Sequence, residues 1–168
     1  MTNRPRGVRP KMGEAFDLWA PEGGKGSVLE WPWVQERMYG ARSYWVVTTP
    51  TSGPPHAMPV WGVFVDDVFY FSTPGSSKKA RNIERTGDAT VHLESADVVV
   101  IVEGTARAET EPALTERLAA AFLHKYRIEI VGKFPDQVMY SIRPRRVMAW
   151  QGFPESEFMR TMTRFDLD

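Results

Sequence analysis

The sequence predicts a mainly β protein, an antiparallel barrel of about six strands that is closed or nearly closed, with helices set around it. Three observations carry this. Short runs rich in β-branched and aromatic residues recur along the chain, as in Ser43 to Thr49 and Val68 to Thr73. Tight reversals separate them: Pro50 to Pro55 around Gly53, Asp66-Asp67, and Ser95 to Asp97. Hairpin signals outnumber the crossovers that a parallel sheet would need.

In chain order, residues 1–12 hold Arg4, Arg6, Arg9 and Lys11 without an acid, and Pro5, Gly7 and Pro10 keep them irregular, so they read as a basic arm. Such an arm is either mobile or folded over a partner subunit or an acidic ligand. The Gly-Gly-Lys-Gly loop at 23–26 lacks the strand, spacing and hydroxyl residue of a nucleotide P-loop. Pro32 starts a helix that runs to about Ala41 and turns Val34, Met38 and Ala41 to one face. Strands follow at Ser43–Thr49, His56–Val65 and Val68–Thr73, and Pro59 marks an edge or a bulge in the second of them. After a short basic helix come strands at Ala89–Glu94 and Val98–Glu109. The apolar run Val98 to Val102 calls for cover on both faces, which a second copy of the chain would supply, and Gly104 signals a bulge. Thr110 is positioned to cap a helix with Pro112 in its first turn and Leu114, Leu118, Ala121 and Phe122 as its buried stripe, ending near Tyr126. A last strand, 137–150, bends at Pro144, and the remaining tail reads as irregular. The expected organisation is an arm and loop over 1–30, one barrel domain over 31–150 and a tail over 151–168.

Composition narrows the function. The 168 residues include 42% hydrophobic ones, enough for one sizeable core. Lys plus Arg and Asp plus Glu number 21 each, so no overall field favours nucleic acid or an anionic membrane, and any anion site must be local. Cysteine is absent, which excludes disulfides, thiolate catalysis and cysteine-held metal and is compatible with a reducing cytoplasm, the expected location. No apolar run reaches the length of a membrane span or a signal-peptide core, and the chain is expected to be soluble and unprocessed. His56, His92 and His124 lie far apart without a metal-ligand spacing, so no metal is expected. No nucleophile elbow or paired-carboxylate signature appears. Six Trp, nine Phe and five Tyr exceed what packing asks for, and some can line a flat ligand.

The densest chemical signal spans residues 68–87. A strand ends in Ser72 and Thr73, Pro74-Gly75 turns the chain, and Ser76 or Ser77 caps a helix that opens with Lys78 and Lys79. Free N–H groups already make a helix N-terminus positive, and carboxylates are the usual residues there. Hydroxyls, backbone amides and two ammonium groups on one turn suit a phosphate; a solvated basic helix start is the alternative. Lys78, Arg81 and Arg85 share the outer face while Ala80 and Ile83 face the core, and Asn82, beside the stripe, is either a donor to a carbonyl or phosphate or a polar surface residue.

Four blocks in order, Pro55-His56-Ala57-Met58-Pro59-Val60-Trp61, Phe69 to Thr73, Ser77 to Asn82 and Val102 to Ala106, resemble the pyridoxamine 5'-phosphate oxidase-like, flavin-binding split-barrel family, and within it most resemble the actinobacterial flavin and deazaflavin oxidoreductases. The likeness covers about residues 31–150. It implies a six-stranded antiparallel split β-barrel and a homodimer holding two cofactors in clefts between subunits. Carried over by position, it implies that Ser72, Thr73, Ser77, Lys78 and Lys79 meet the cofactor phosphate, while Met58, Pro59, Val60 and Trp61 lie along the ring system. His56 falls where the oxidases have an arginine at the start of a cofactor-binding strand. Trp61 replaces the lysine that the true oxidases use on the substrate phosphate, and their C-terminal Arg-x-His signature is missing after Trp150. Both departures point away from vitamin B6 and toward a more apolar substrate.

The implied activity is hydride transfer between a flavin-type cofactor and an unsaturated or quinone-like small molecule, with His56 as candidate proton donor. The cofactor is the deazaflavin F420, whose polyanionic tail suits Lys78, Lys79, Arg81, Arg85 and the arm, or alternatively FMN. A non-enzymatic carrier of a flavin or tetrapyrrole is the reading from another class.

Overall fold

A computed structural model describes residues 4–11, 26–130, 134 and 136–167. Helix α1 (Trp31–Gly40) is followed by strands β1 (Tyr44–Thr48), β2 (His56–Val60), β3 (Gly62–Val65) and β4 (Val68–Pro74). Helix α2 (Lys78–Thr86), strands β5 (Asp88–His92) and β6 (Val98–Glu109), helix α3 (Pro112–Tyr126), strand β7 (Gln137–Gln151), helix α4 (Glu155–Thr161) and strand β8 (Thr163–Asp166) complete the chain.

All strand pairings are antiparallel, and the order β2-β1-β5-β6-β7-β4-β3, with β8 beside β7, makes one eight-stranded sheet. The two ends of that order, β2 and β3, are separated in the chain by Trp61 alone. A flat sheet cannot bring its outermost strands together, so this one curls until they meet. No ladder joins β2 to β3 among the described residues, and the barrel stays split along that seam. Inside, Tyr44, Phe69, Phe71, Tyr140, Val100 and Val147 are buried to within a few per cent, and α1 and α2 close the ends with Trp31, Val34, Met38, Ala80 and Ile83. A second cluster, Val63, Val68, Tyr70 and Met139 with Leu118 and Phe122, seals α3 against the outside of β3 and β4.

The curl has a local cause where β6 and β7 bend together. The register shifts between Glu103 and Gly104, and Gly104 lies opposite Pro144. A Cβ on Gly104 would come within 2.2 Å of the Arg143 carbonyl oxygen, so only glycine admits this approach.

Four expectations change. The sheet has eight strands, because His56–Val65 is broken at Trp61 into two strands at opposite edges and because the tail contributes β8. That tail is ordered: α4 packs on β7, and β8 pairs with Arg146 to Ala149. The basic arm, where described, is anchored to this same tail. Val8 exchanges backbone hydrogen bonds of 2.8 and 2.7 Å with Arg164, and Arg9 donates to the carbonyls of Met159 and Arg160. Helix α3 has Glu111 as its N-cap and no side-chain cap, so Thr110 does not serve there. In the apolar run, Val99, Val100 and Val102 are buried within the single chain, while Val98 and Ile101 are half-covered. Of the glycine loop at 23–26, only Gly26 belongs to the described residues.

Candidate functional site

Strand β4 ends at Pro74, and Ser77 caps α2 by accepting from the Ala80 N–H at 3.2 Å. Thr73, buried beneath the turn, donates to the Ser77 hydroxyl at 3.3 Å. The Ser76 N–H is taken by the Asp136 carboxylate at 3.2 Å and the Gly75 N–H by the Asp136 carbonyl at 2.8 Å. That leaves the Lys78 and Lys79 N–H groups at the open end of the helix, with both ammonium groups beside them and no acid bonded to either among the described residues.

Helix α2 is held at this place by Asn82. Its side chain is buried and donates to Thr48 Oγ1 at 3.0 Å, tying the helix to β1. Thr48 pairs with His56 across the β1–β2 ladder, so the bond that fixes α2 also brings His56 toward its first turn. The proximity shows electrostatically: desolvation, then the charges of Lys78 and Lys79, hold the His56 pKa below its ordinary value. Desolvation alone lowers that of Lys79, which is half-buried.

From this cationic end an open, mostly apolar cleft of about 270 Å³ runs along the barrel seam. Pro59, Val60 and Trp61 form one wall, Ser72 and Lys79 another, and Phe122, Ile128 and Ile130 close it from the α3 side. Ser72 donates to Gln137 Oε1 at 2.9 Å. The structure thus brings Pro59, Val60, Trp61, Ser72 and Lys79 to one cleft, while Lys78 and His56 are not among its lining residues and His56 is linked to it through the charges of Lys78 and Lys79. Thr73 and Ser77 lie under the turn as supports, Asn82 faces inward to β1, and Met58 is exposed on β2 without lining the cleft.

Sequence reasoning missed Gln137 and the whole α3 side. There Tyr126 stacks on Trp61 with ring centroids 5.4 Å apart and planes 16° apart. Its hydroxyl accepts from the Gly62 N–H at 3.0 Å and lies 2.8 Å from the Gly62 carbonyl and 2.9 Å from that of Arg42, to one of which it donates. Lys125 Nζ donates to the Gly62 carbonyl at 3.1 Å and to the Tyr44 hydroxyl at 2.6 Å. Burial lowers its pKa to about 8 and pushes that of Tyr44 up. The Trp61 corner is therefore pinned through the residue that follows it. No group of three or more His, Asp or Glu among the described residues is placed to hold a metal, and no helix among them is long and apolar enough to cross a membrane.

A curled antiparallel sheet left open at one seam, with Lys79 of a cationic helix start lining an apolar cleft in that seam, defines a split-barrel protein with a cation-ended cleft. The sequence pattern of the pyridoxamine 5'-phosphate oxidase family matches residues 33–151, and the chain belongs to that family. Among curated proteins none matches. Solved structures share the fold. A conserved hypothetical protein from Mycobacterium tuberculosis, Rv2991, is 19% identical with a TM-score of 0.64 over 78% of this chain and 89% of its own. General Stress Protein 26 from Bacillus anthracis is 23% identical with a TM-score of 0.59 over 70% and 91%. HutZ, the heme storage protein from Vibrio cholerae, is 15% identical with a TM-score of 0.63 over 76% and 98%.

Proposed function

We propose that the seam cleft binds a phosphate-bearing, flavin-type cofactor and that the chain is an oxidoreductase passing a hydride between it and a flat unsaturated or quinone-like molecule. The observation that carries this reading is the start of α2 at Lys78 and Lys79, whose charges reach His56, with Lys79 lining a cleft walled by Trp61. The donor set fits a phosphate: two free backbone N–H groups, two ammonium groups and a histidine ring. When bound, the flavin or deazaflavin supplies the hydride chemistry. The protein's part is to hold the phosphate at Lys78 and Lys79, lay the ring against Pro59 to Trp61, and exclude water with the α3 residues. His56, held below its ordinary pKa, is a neutral imidazole near pH 7 and can take or return a proton beside Lys78 and Lys79.

FMN and the deazaflavin F420 share the phosphate and the tricyclic ring. The exposed row Lys78, Arg81 and Arg85 favours the polyanionic tail of F420, while the anchoring of Arg9 to α4 removes that part of the arm from such a role. We further propose a homodimer, since β2 is an edge strand with no buried residue and Trp45, Met58 and Trp61 beside it are exposed by 37, 41 and 51%. Sedimentation as a monomer at micromolar concentration would remove it.

The test is binding of FMN and of reduced F420 separately, followed by cofactor absorbance against quinones, enones and tetrapyrroles. Oxidation or reduction of a bound cofactor supports the enzyme. Tight binding without turnover assigns a carrier instead, in line with the heme storage protein of the same fold. Failure to bind either cofactor ends both readings.

A further inference from the structure

Trp61 also borders a second hollow of about 360 Å³, bounded besides by Gly40, Arg42, Lys125, Tyr126 and Ile128. Its chemistry is unlike that of a packing defect. Lys125 is half-buried and its Nζ lies 4.8 and 5.4 Å from the ring centroids of Tyr44 and Tyr126, yet no acid is bonded to it among the described residues, and the two oxygens it bonds have other partners. The Tyr44 hydroxyl already donates to the Met38 carbonyl, and the Gly62 carbonyl is within reach of the Tyr126 hydroxyl. An ammonium desolvated without a counter-charge costs stability, and neither of its acceptors requires it. An ammonium also has three protons, and only two are used. The exposed Arg42 guanidinium, on the same hollow, likewise has no acid bonded to it among the described residues.

We propose that this hollow is an anion subsite for the carboxylate of a flat aromatic molecule: Arg42 and the third proton of Lys125 hold the carboxylate, and the ring lies against Trp61 and Ile128. Two cations without an acid set the charge of the ligand, and the indole and isoleucine set its flat apolar body. Because Trp61 walls both hollows, a molecule seated here has its ring at the seam where the cofactor ring would lie. Its assignment as the substrate rests on the function proposed above; the subsite itself does not. The groups facing Lys125 are Tyr39 of α1 and Tyr44 of β1, Tyr126 and His124 of α3, and Arg42 of the α1–β1 connection. Burial raises the pKa values of all three tyrosines, so they stay neutral while Lys125 titrates. Loss of its proton above about pH 8 then weakens carboxylate binding.

The experiment uses cofactor-free protein labelled with fluorotryptophan. Fluorine NMR resolves the tryptophans, and Trp61→Phe assigns the resonance of interest. Naphthoate is titrated in, with naphthamide as its uncharged counterpart. The expected result is saturable movement of the Trp61 signal by naphthoate and about tenfold weaker binding of naphthamide, as for loss of one charge-assisted hydrogen bond. Lys125→Met and Arg42→Gln should each weaken naphthoate by about tenfold. Affinity should fall as pH rises through about 8 in the parent and in His124→Gln, but not in Lys125→Met. No saturable binding, equal binding of the amide, or unchanged naphthoate affinity in both Lys125→Met and Arg42→Gln overturns the subsite. Arg42 is exposed, so its variant keeps the test decisive if the core is sensitive to change at Lys125. Cofactor binding takes no part in the readout, so failure of the flavin reading and failure of the subsite register separately.

Discussion

Lys79 and Lys125 line separate hollows that share Trp61, and both have lowered pKa values through desolvation without a bonded acid among the described residues. They are held in different ways. Lys79 sits in the first turn of α2, among unpaired N–H groups that add to its positive potential and leave it facing a cleft. Lys125 ends a long helix and is clamped by a hydroxyl and a carbonyl between two tyrosine rings, with Nζ 4.8 and 5.4 Å from their centroids. One cation faces an open cleft, where the proposed function puts a phosphate. The other mainly organises a corner and keeps a single proton in reserve. The difference teaches that an uncompensated buried charge marks function only when its present contacts leave it a donor to spare.

The strongest way to break the comparison is at the cleft. Lys79→Ala should weaken binding of FMN or F420 by about 1.5–3 kcal/mol, the range for hydrogen bonds to charged groups. The helix should survive, because its cap is Ser77 and its buried face is Ala80, Asn82 and Ile83. Fluorescence titration giving unchanged affinity for both cofactors would show that the phosphate does not meet this turn.

Next in size is Gly62→Ala, which attacks the corner. The added methyl would meet Phe69 Cζ at 2.2 Å and the Tyr70 carbonyl oxygen at 2.8 Å. Overpacking of this kind costs about 1–3 kcal/mol, and relief is available only by moving β3 and with it Trp61. Denaturant unfolding measures the loss, and a variant as stable as the parent would mean that the corner is softer than its hydrogen bonds imply.

A smaller effect concerns His56. Lys78 and Lys79 contribute to lowering its pKa, so an anion that neutralises them should raise it. Sulfate keeps its charge over the range in which imidazole titrates and is the simplest probe. The NMR titration of His56 should move upward on adding sulfate, and by linkage sulfate should bind more tightly as pH falls through that pKa. A His56 titration indifferent to sulfate would place the lysines too far away to act with it.

These two lysines also show what the chain discloses before it folds. Lys79 is legible because its partners are its neighbours: Ser77, Lys78 and the turn at Pro74-Gly75 form one contiguous signal. Lys125 is not, since the groups it bonds lie 81 and 63 residues away. The seam is hidden for a related reason. His56 to Val65 keeps strand-forming character throughout, and Pro59 marks an edge or a bulge without telling that the two halves belong to opposite edges of the sheet. Strand β8 is four residues long with alternating burial, too short to declare itself without the β7 ladder. Gly104 and Pro144, by contrast, announce a bulge and a bend that prove to be the same feature seen from two strands.

The smallest expected change in stability separates the lysines most cleanly. Lys125→Met keeps the length of the side chain, removes a desolvated charge and leaves its acceptors with Tyr126 and Met38, so at pH 7 stability should change by less than about 1 kcal/mol. Its pH dependence should change more. The folded pKa of about 8 lies below the ordinary lysine value of 10.5. Between them the unfolded chain holds a proton that the folded chain has lost, so the parent gains stability as pH rises above about 8. The raised tyrosine pKa values act in the opposite sense once unfolded tyrosines ionise near pH 10, which confines the useful window to about pH 7.5–9.5. Urea unfolding across that window should show a rising curve for the parent and a flatter one for Lys125→Met. Lys79→Met serves as the comparison, since burial lowers the Lys79 pKa as well. Parallel curves for the parent and Lys125→Met would mean that the corner lysine is solvated in the folded protein, and the reserve proton would lose its significance.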